Sequence, residues 1–128
     1  LAKEGSIRGG RSTINMHELA ITQSLLKIAL EKAGEAGAAS IKAIDLRVGR
    51  LSGYVPEAVQ ANFEILSPGT AAEGARLRME WVPVACRCRD CGREYRAEID
   101  DLRCPECRTP HFQITGGREM YIESMEVE

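Results

Sequence analysis

Aromatic residues are scarce in this chain, at 5% of 128 residues, with one tryptophan, three tyrosines and two phenylalanines. A core drawn from such a composition is mostly aliphatic. The 44% hydrophobic content fills one compact domain, or a small domain with a stapled module. Positive charge is not in excess: 17 Lys and Arg stand against 19 Asp and Glu, for a net charge of −2 and a pI near 5.8. That balance argues against general nucleic-acid binding. No apolar run approaches the ~18 residues that a membrane span needs. The opening LAKEGSIRGGRSTIN lacks the apolar centre of a signal peptide, so a cytoplasmic protein is expected. GxSxG, P-loop and HExxH patterns are all missing, and no enzymatic activity is expected. GGR occurs at Gly9-Gly10-Arg11 and at Gly116-Gly117-Arg118, but neither has the strand-to-helix setting of a phosphate loop. Both read as flexible turns.

Residues 1–15 carry little hydrophobic pattern and read as a flexible extension: a tag remnant, translation from an upstream start, or a functional arm. From Met16 a helical period sets in. Leu19, Leu26, Leu30 and Ala33 share one face, which Ile21, Leu25 and Ile28 widen, and the helix closes near Gly34 to Gly37. SIKAIDLRVGRLSG then alternates, with Ile44, Leu46 and Val48 opposite Asp45 and Arg47, as in a half-buried strand. GYVPEAVQANFEIL predicts a second helix with Pro56 in its first turn, an apolar stripe of Val59, Phe63 and Leu66, and a stop at Ser67-Pro68-Gly69. ARLRMEWVPV alternates again, placing Leu77, Met79 and Trp81 on one side. EMYIESMEV forms a last strand whose alternation slips between Ile122 and Met125. The strands flanking the cysteine-rich segment are expected to pair in one sheet, which makes that segment an excursion from it.

All five cysteines fall in this segment: Cys86, Cys88, Cys91, Cys104 and Cys107. Clustering of this kind in a reducing compartment favours a metal over disulfides. Cys88-x2-Cys91 and Cys104-x2-Cys107, twelve residues apart, supply four thiolates for a tetrahedron. Such a set suits Zn²⁺ in a closed structural site. Iron takes the same four sulfurs, and spacing alone leaves it open. Gly92 and Pro105 fit tight metal-binding turns. Cys86 competes with Cys88 as a ligand, but the symmetry of two x2 pairs favours Cys88 and leaves Cys86 a free thiol near the site. A zinc ribbon can also grip nucleic acid. Here, however, Arg87, Arg89, Arg93, Arg96, Arg103 and Arg108 are matched one for one by Asp90, Glu94, Glu98, Asp100, Asp101 and Glu106. Only Tyr95 and Phe112 offer stacking faces, so a nucleic-acid adaptor is the second reading and a rubredoxin-like electron carrier the third.

The chain has two histidines, His17 and His111. His111, after Pro110, reads as a solvent-facing loop residue rather than an extra ligand. His17 stands in Met16-His17-Glu18 at the opening of the first helix, where Asn15 with Glu18 also fits a capping box. Helix start and metal site are both open readings of this triplet.

MHELAITQSLL, VGRLSGYVPEA, GTAAEGARL, the paired cysteines with CPEC, and GGREMYIESMEVE together resemble the HypA/HybF family over Met16 to about Glu128. The resemblance implies a nickel metallochaperone of [NiFe]-hydrogenase maturation, working with the GTPase HypB and delivering Ni²⁺ to the hydrogenase large subunit. In some bacteria the family also serves urease. The implied fold is α/β: a small sheet with two helices forms a nickel-binding domain, here residues 16–85 and 113–128, with a zinc-ribbon domain inserted at residues 86–112. Nickel binding carries over to Met16, His17 and Glu18, and structural zinc to Cys88, Cys91, Cys104 and Cys107. Ni²⁺ often takes a square plane of nitrogen donors. In the family the triplet is the native amino terminus, whereas here residues 1–15 convert the amine of Met16 into an amide. Arg108 is a second departure, standing where the family commonly has glycine. Monomer and dimer both remain open, and an inserted module allows a swapped dimer.

Overall fold

The computed structural model describes residues 16–128; the extension expected at residues 1–15, and the Asn15 cap, lie outside the described residues. Along the chain run α1 (Met16–Glu35), β1 (Ile41–Gly49), α2 (Pro56–Leu66), β2 (Arg76–Val82), β3 (Val84–Cys88), β4 (Glu94–Ala97), β5 (Phe112–Gly116) and β6 (Met120–Val127). The strands make two three-stranded sheets, in the orders β2-β1-β6 and β4-β3-β5. The fold is thus a mixed α/β arrangement with two helices and small sheets, as expected. The strands that flank the cysteine segment, β2 and β6, do share a sheet, but they do not pair: β1 lies between them. The second sheet has strands of four and five residues that lie within and at both edges of the segment, and their burial alternates residue by residue.

The described residues divide into two compact units, one of residues 16–46, 54–78 and 122–128, the other of residues 47–53 and 79–121. In the first, Leu25, Leu26, Ala29 and Ala33 of α1, Ile41, Ala43, Ile44 and Leu46 of β1, and Val59 and Phe63 of α2 are buried. Ile28, placed on the apolar stripe of α1, is instead 47% exposed. Glu18 and Thr22 take buried positions on that helix, each at 0% exposure. The polar side of β1 is stitched to its neighbours. Arg78 of β2 donates twice to the Asp45 carboxylate, at 2.7 and 3.0 Å, and once to Glu126 of β6, at 2.9 Å. Ser124 of β6 donates to the same Asp45 at 2.8 Å. A bidentate guanidinium between two strands gives directional pairing where apolar burial gives none.

In the second unit, Gly49 and Gly117 are sites of close main-chain approach rather than hinges. Gly49 N–H donates to Glu119 O at 2.8 Å, and Leu51 N–H donates to Gly117 O at 2.8 Å. A Cβ on Gly49 would fall 2.5 Å from the Gly117 carbonyl carbon and 2.9 Å from Glu119 O. Gly117 adopts φ +96°, and a Cβ there would meet Pro83 O at 3.0 Å and Val84 Cα at 3.1 Å. The second GGR is therefore a packed joint at the end of β5 and not the flexible turn its composition suggested. Trp81, placed on one side of its strand with Leu77 and Met79, is 43% exposed, and the Arg50 guanidinium lies 4.4 Å from its ring centroid.

Candidate metal centres

β3 carries Cys88 into the first CxxC turn, and β4 leads away from it. Cys91 N–H points to Cys88 Sγ at 3.4 Å, Gly92 N–H donates to Cys88 O at 2.9 Å, and Cys88 N–H donates to Arg93 O at 2.8 Å. The second turn repeats the pattern. Cys107 N–H points to Cys104 Sγ at 3.5 Å, Arg108 N–H donates to Cys104 O at 2.8 Å, and Cys104 N–H donates to Thr109 O at 3.4 Å. The residue closing each turn is left-handed: Gly92 at φ +77° and Arg108 at φ +55°. Arg108 thus keeps the shape that glycine adopts in the first turn, at a conformational cost of about 1–2 kcal/mol for a residue with a Cβ. Its guanidinium donates to Asp101 at 2.8 Å, and Asp101 also accepts from Arg103 Nε at 3.0 Å. Arg103, and after it Arg108, hold the Asp101 carboxyl below the usual carboxylate range.

The two turns bring Cys88, Cys91, Cys104 and Cys107 together, with all four sulfurs within 4.8 Å of one another. Cys91 and Cys104 sulfurs are 3.8 Å apart. A tetrahedron with Zn–S bonds of about 2.3 Å has edges of about 3.8 Å, so these residues fit a structural zinc ion. Cys88 and Cys104 are buried while Cys91 and Cys107 are exposed. Among the thiols, the Cys107 backbone N–H draws Cys104 down to about 7, and hydrogen bonding from the Cys91 side chain pushes Cys107 up to about 12. Backbone N–H groups aimed at sulfur favour thiolate, and thiolate is the form that binds metal.

Cys86 stands apart from this cluster. It is 1% exposed on β3, with Tyr95 of β4 and Ile114 of β5 as its partners in register, and burial pushes its thiol up. His111 is exposed, with Nδ1 3.2 Å from the Asp90 carboxylate. Three arginines of the segment are engaged by carboxylates: Arg93 with Glu106 at 3.2 Å, and Arg103 and Arg108 with Asp101 at 3.0 and 2.8 Å.

In the other unit, α1 opens at Met16, and the two residues that follow have different surroundings. His17 is exposed, with its ring 4.6 Å from that of Tyr54 and tilted by 51°. Glu18 is fully buried. Its Oε2 accepts from Val55 N–H at 2.7 Å, and its Oε1 is buried without a hydrogen-bond partner among the described residues. Val55 is the N-cap residue of α2 and has no side-chain cap of its own. Glu18 therefore serves the start of α2, across the fold, where a negative charge is favoured by the helix dipole. Sequence spacing points to local capping of α1 and carries no signal for Tyr54 or Val55, which lie 37 residues away in each pairing.

A family model described as hydrogenase/urease nickel incorporation, metallochaperone, HypA matches residues 16–127. The hydrogenase maturation factor HypA of Dehalococcoides mccartyi is 42% identical over 113 residues, covering 88% of this chain and 95% of that protein. The factor of the same name from Moorella thermoacetica is 41% identical over 113 residues, covering 88% and 100%. Among solved structures, a solution structure of HypA protein matches with a TM-score of 0.68 at 25% identity, covering 89% of this chain and 98% of that one. The solution structure of the Ni metallochaperone HypA from Helicobacter pylori shares the fold, with a TM-score of 0.65 at 23% identity over 86% of this chain and 96% of that one. The chain belongs to the HypA family of hydrogenase and urease nickel-incorporation metallochaperones.

Proposed function

We propose that this protein takes up Ni²⁺ as cargo at Met16, His17 and Glu18 and delivers it, with the GTPase HypB, to the large subunit of a [NiFe]-hydrogenase in the cytoplasm. Residues 16–85 and 113–128 form the nickel-binding domain, and residues 86–112 a zinc ribbon in which Cys88, Cys91, Cys104 and Cys107 hold a structural Zn²⁺. The observation that carries the reading is the pairing of an exposed imidazole at the start of α1 with a buried carboxylate beside it that has one oxygen unmatched among the described residues. An exposed imidazole suits a cargo ion that must leave again, whereas four thiolates in a closed cluster suit an ion that stays. The protein's work is binding and transfer, with no bond made or broken in a substrate. The nucleic-acid reading gains nothing from the ribbon, three of whose arginines are drawn into ion pairs with its own carboxylates.

The test is metal analysis with Ni²⁺ titration of the zinc-loaded chain, beside a chain that begins at Met16. A free α-amine at Met16 adds a nitrogen donor, which titrates near pH ~7.7–8.0 when unperturbed. The shorter chain should bind nickel more tightly, show the d–d absorption of a square-planar nitrogen site, and gain further as pH rises through that range. Equal affinity and identical spectra would remove the amine from the ligand set. No nickel bound by either chain would remove the function.

A further inference from the structure

The triplet does not stand alone at the head of α1. Its two described side chains are each held by one residue of the segment that leads into α2: the His17 ring by Tyr54, and the Glu18 carboxylate by the Val55 N–H. The two pairs are consecutive on both sides, so a dipeptide docks on a dipeptide. The following Pro56 explains why this segment can serve as a fixed platform. A residue before proline is confined to extended backbone, and Val55 has φ −98° and ψ 113°. That conformation is set locally, and the bond to a fully buried Glu18 fixes it in the fold. Tyr54 is then placed by its neighbour, and its ring centroid lies 4.6 Å from that of His17, within the separation over which aromatic pairs attract.

We propose that Tyr54 is a positioning residue for the nickel cargo, holding the His17 imidazole in one orientation before the ion arrives. This rests on His17 being a nickel ligand, as proposed above. An exposed histidine in the first turn of a helix has rotamer freedom to lose when it binds a metal, and a ring partner removes part of that loss in advance. Aromatic pairs contribute about 0.5–1.5 kcal/mol, which corresponds to roughly 2- to 12-fold in affinity.

The experiment is Ni²⁺ titration of the zinc-loaded full chain and its Tyr54→Ala, Tyr54→Phe and His17→Ala variants. Zinc content and melting temperature are measured on each. Tyr54→Ala should lose roughly 3- to 10-fold in nickel affinity with one zinc retained, and Tyr54→Phe, which keeps the ring, should bind within about twofold of the parent. Proton NMR of the metal-free chain supplies a readout that needs no folded alanine variant: the His17 ring protons should carry a ring-current shift that survives in Tyr54→Phe. The proposal is overturned if Tyr54→Ala binds nickel as the parent does, if Tyr54→Phe is as weak as Tyr54→Ala, or if the His17 ring protons show no such shift. Should His17→Ala bind nickel like the parent, the ligand assignment itself fails, and the role of Tyr54 with it.

Discussion

Replacing Gly49 with alanine adds one methyl group at a point where the chain has no room for it. The new Cβ would sit 2.5 Å from the Gly117 carbonyl carbon and 2.9 Å from Glu119 O, and these are main-chain atoms that no rotamer change can move aside. Overpacking of this kind costs about 1–3 kcal/mol. The segments must also separate, which weakens the Gly49 N–H to Glu119 O and Leu51 N–H to Gly117 O bonds, worth about 1 kcal/mol each. The sum is about 3–5 kcal/mol. At about 4 °C per kcal/mol for a chain of this size, the melting temperature should fall by more than 10 °C. Gly53 is the control: it has φ +80°, but a methyl group added there would have nothing within 4 Å, so Gly53→Ala should cost only about 1 kcal/mol for its left-handed backbone. Calorimetry of both variants with zinc retained decides the matter. A Gly49→Ala protein that melts no lower than Gly53→Ala would refute the close approach.

Cys91→Ser and Cys104→Ser should each release the zinc and leave the β4-β3-β5 ribbon open to protease, because metal binding and folding of so small a module are one event. Cys86→Ala should keep one zinc per chain, read by metal analysis, since its thiol lies outside the four-sulfur cluster; a fall in zinc would contradict that. Arg108→Gly should retain zinc with a melting temperature equal to or above the parent's, whereas Arg108→Ile, β-branched at φ +55°, should lose zinc faster to a chelator. Glu18→Gln keeps an acceptor for Val55 N–H and should cost less than about 1 kcal/mol, while Glu18→Ala strands that donor at about 1–3 kcal/mol, measured by denaturant unfolding.

Much of this architecture is legible in the chain because period and punctuation agree. Pro56 in the first turn of α2, the stop at Ser67, and the buried set of Ile44, Leu46, Val59 and Phe63 follow from patterns visible in the sequence. The four cysteines are legible because a CxxC turn brings its own sulfurs together whatever surrounds it. Partners fixed by tertiary structure are not. Glu18 has the spacing of a local cap, and only the folded chain carries its carboxylate to Val55. Ile28 matches the helical period, yet an apolar residue at the edge of a stripe is buried only if something covers it. The second GGR has the composition of a loose turn, and its tightness comes from segments distant in sequence. The β2-β1-β6 order escapes for the same reason, since adjacency along the chain says nothing of a strand that arrives earlier and lies between.

The central claim, that the head of α1 is where nickel is carried, is tested most directly by titrating Ni²⁺ into zinc-loaded parent and His17→Ala chains side by side. His17 is the imidazole at that site, and its loss removes the strongest neutral nitrogen donor there. The account predicts that His17→Ala loses nickel binding while keeping one zinc per chain and the parent's melting temperature. Unchanged nickel affinity in His17→Ala would contradict it, leaving Met16-His17-Glu18 as a helix start and nothing more.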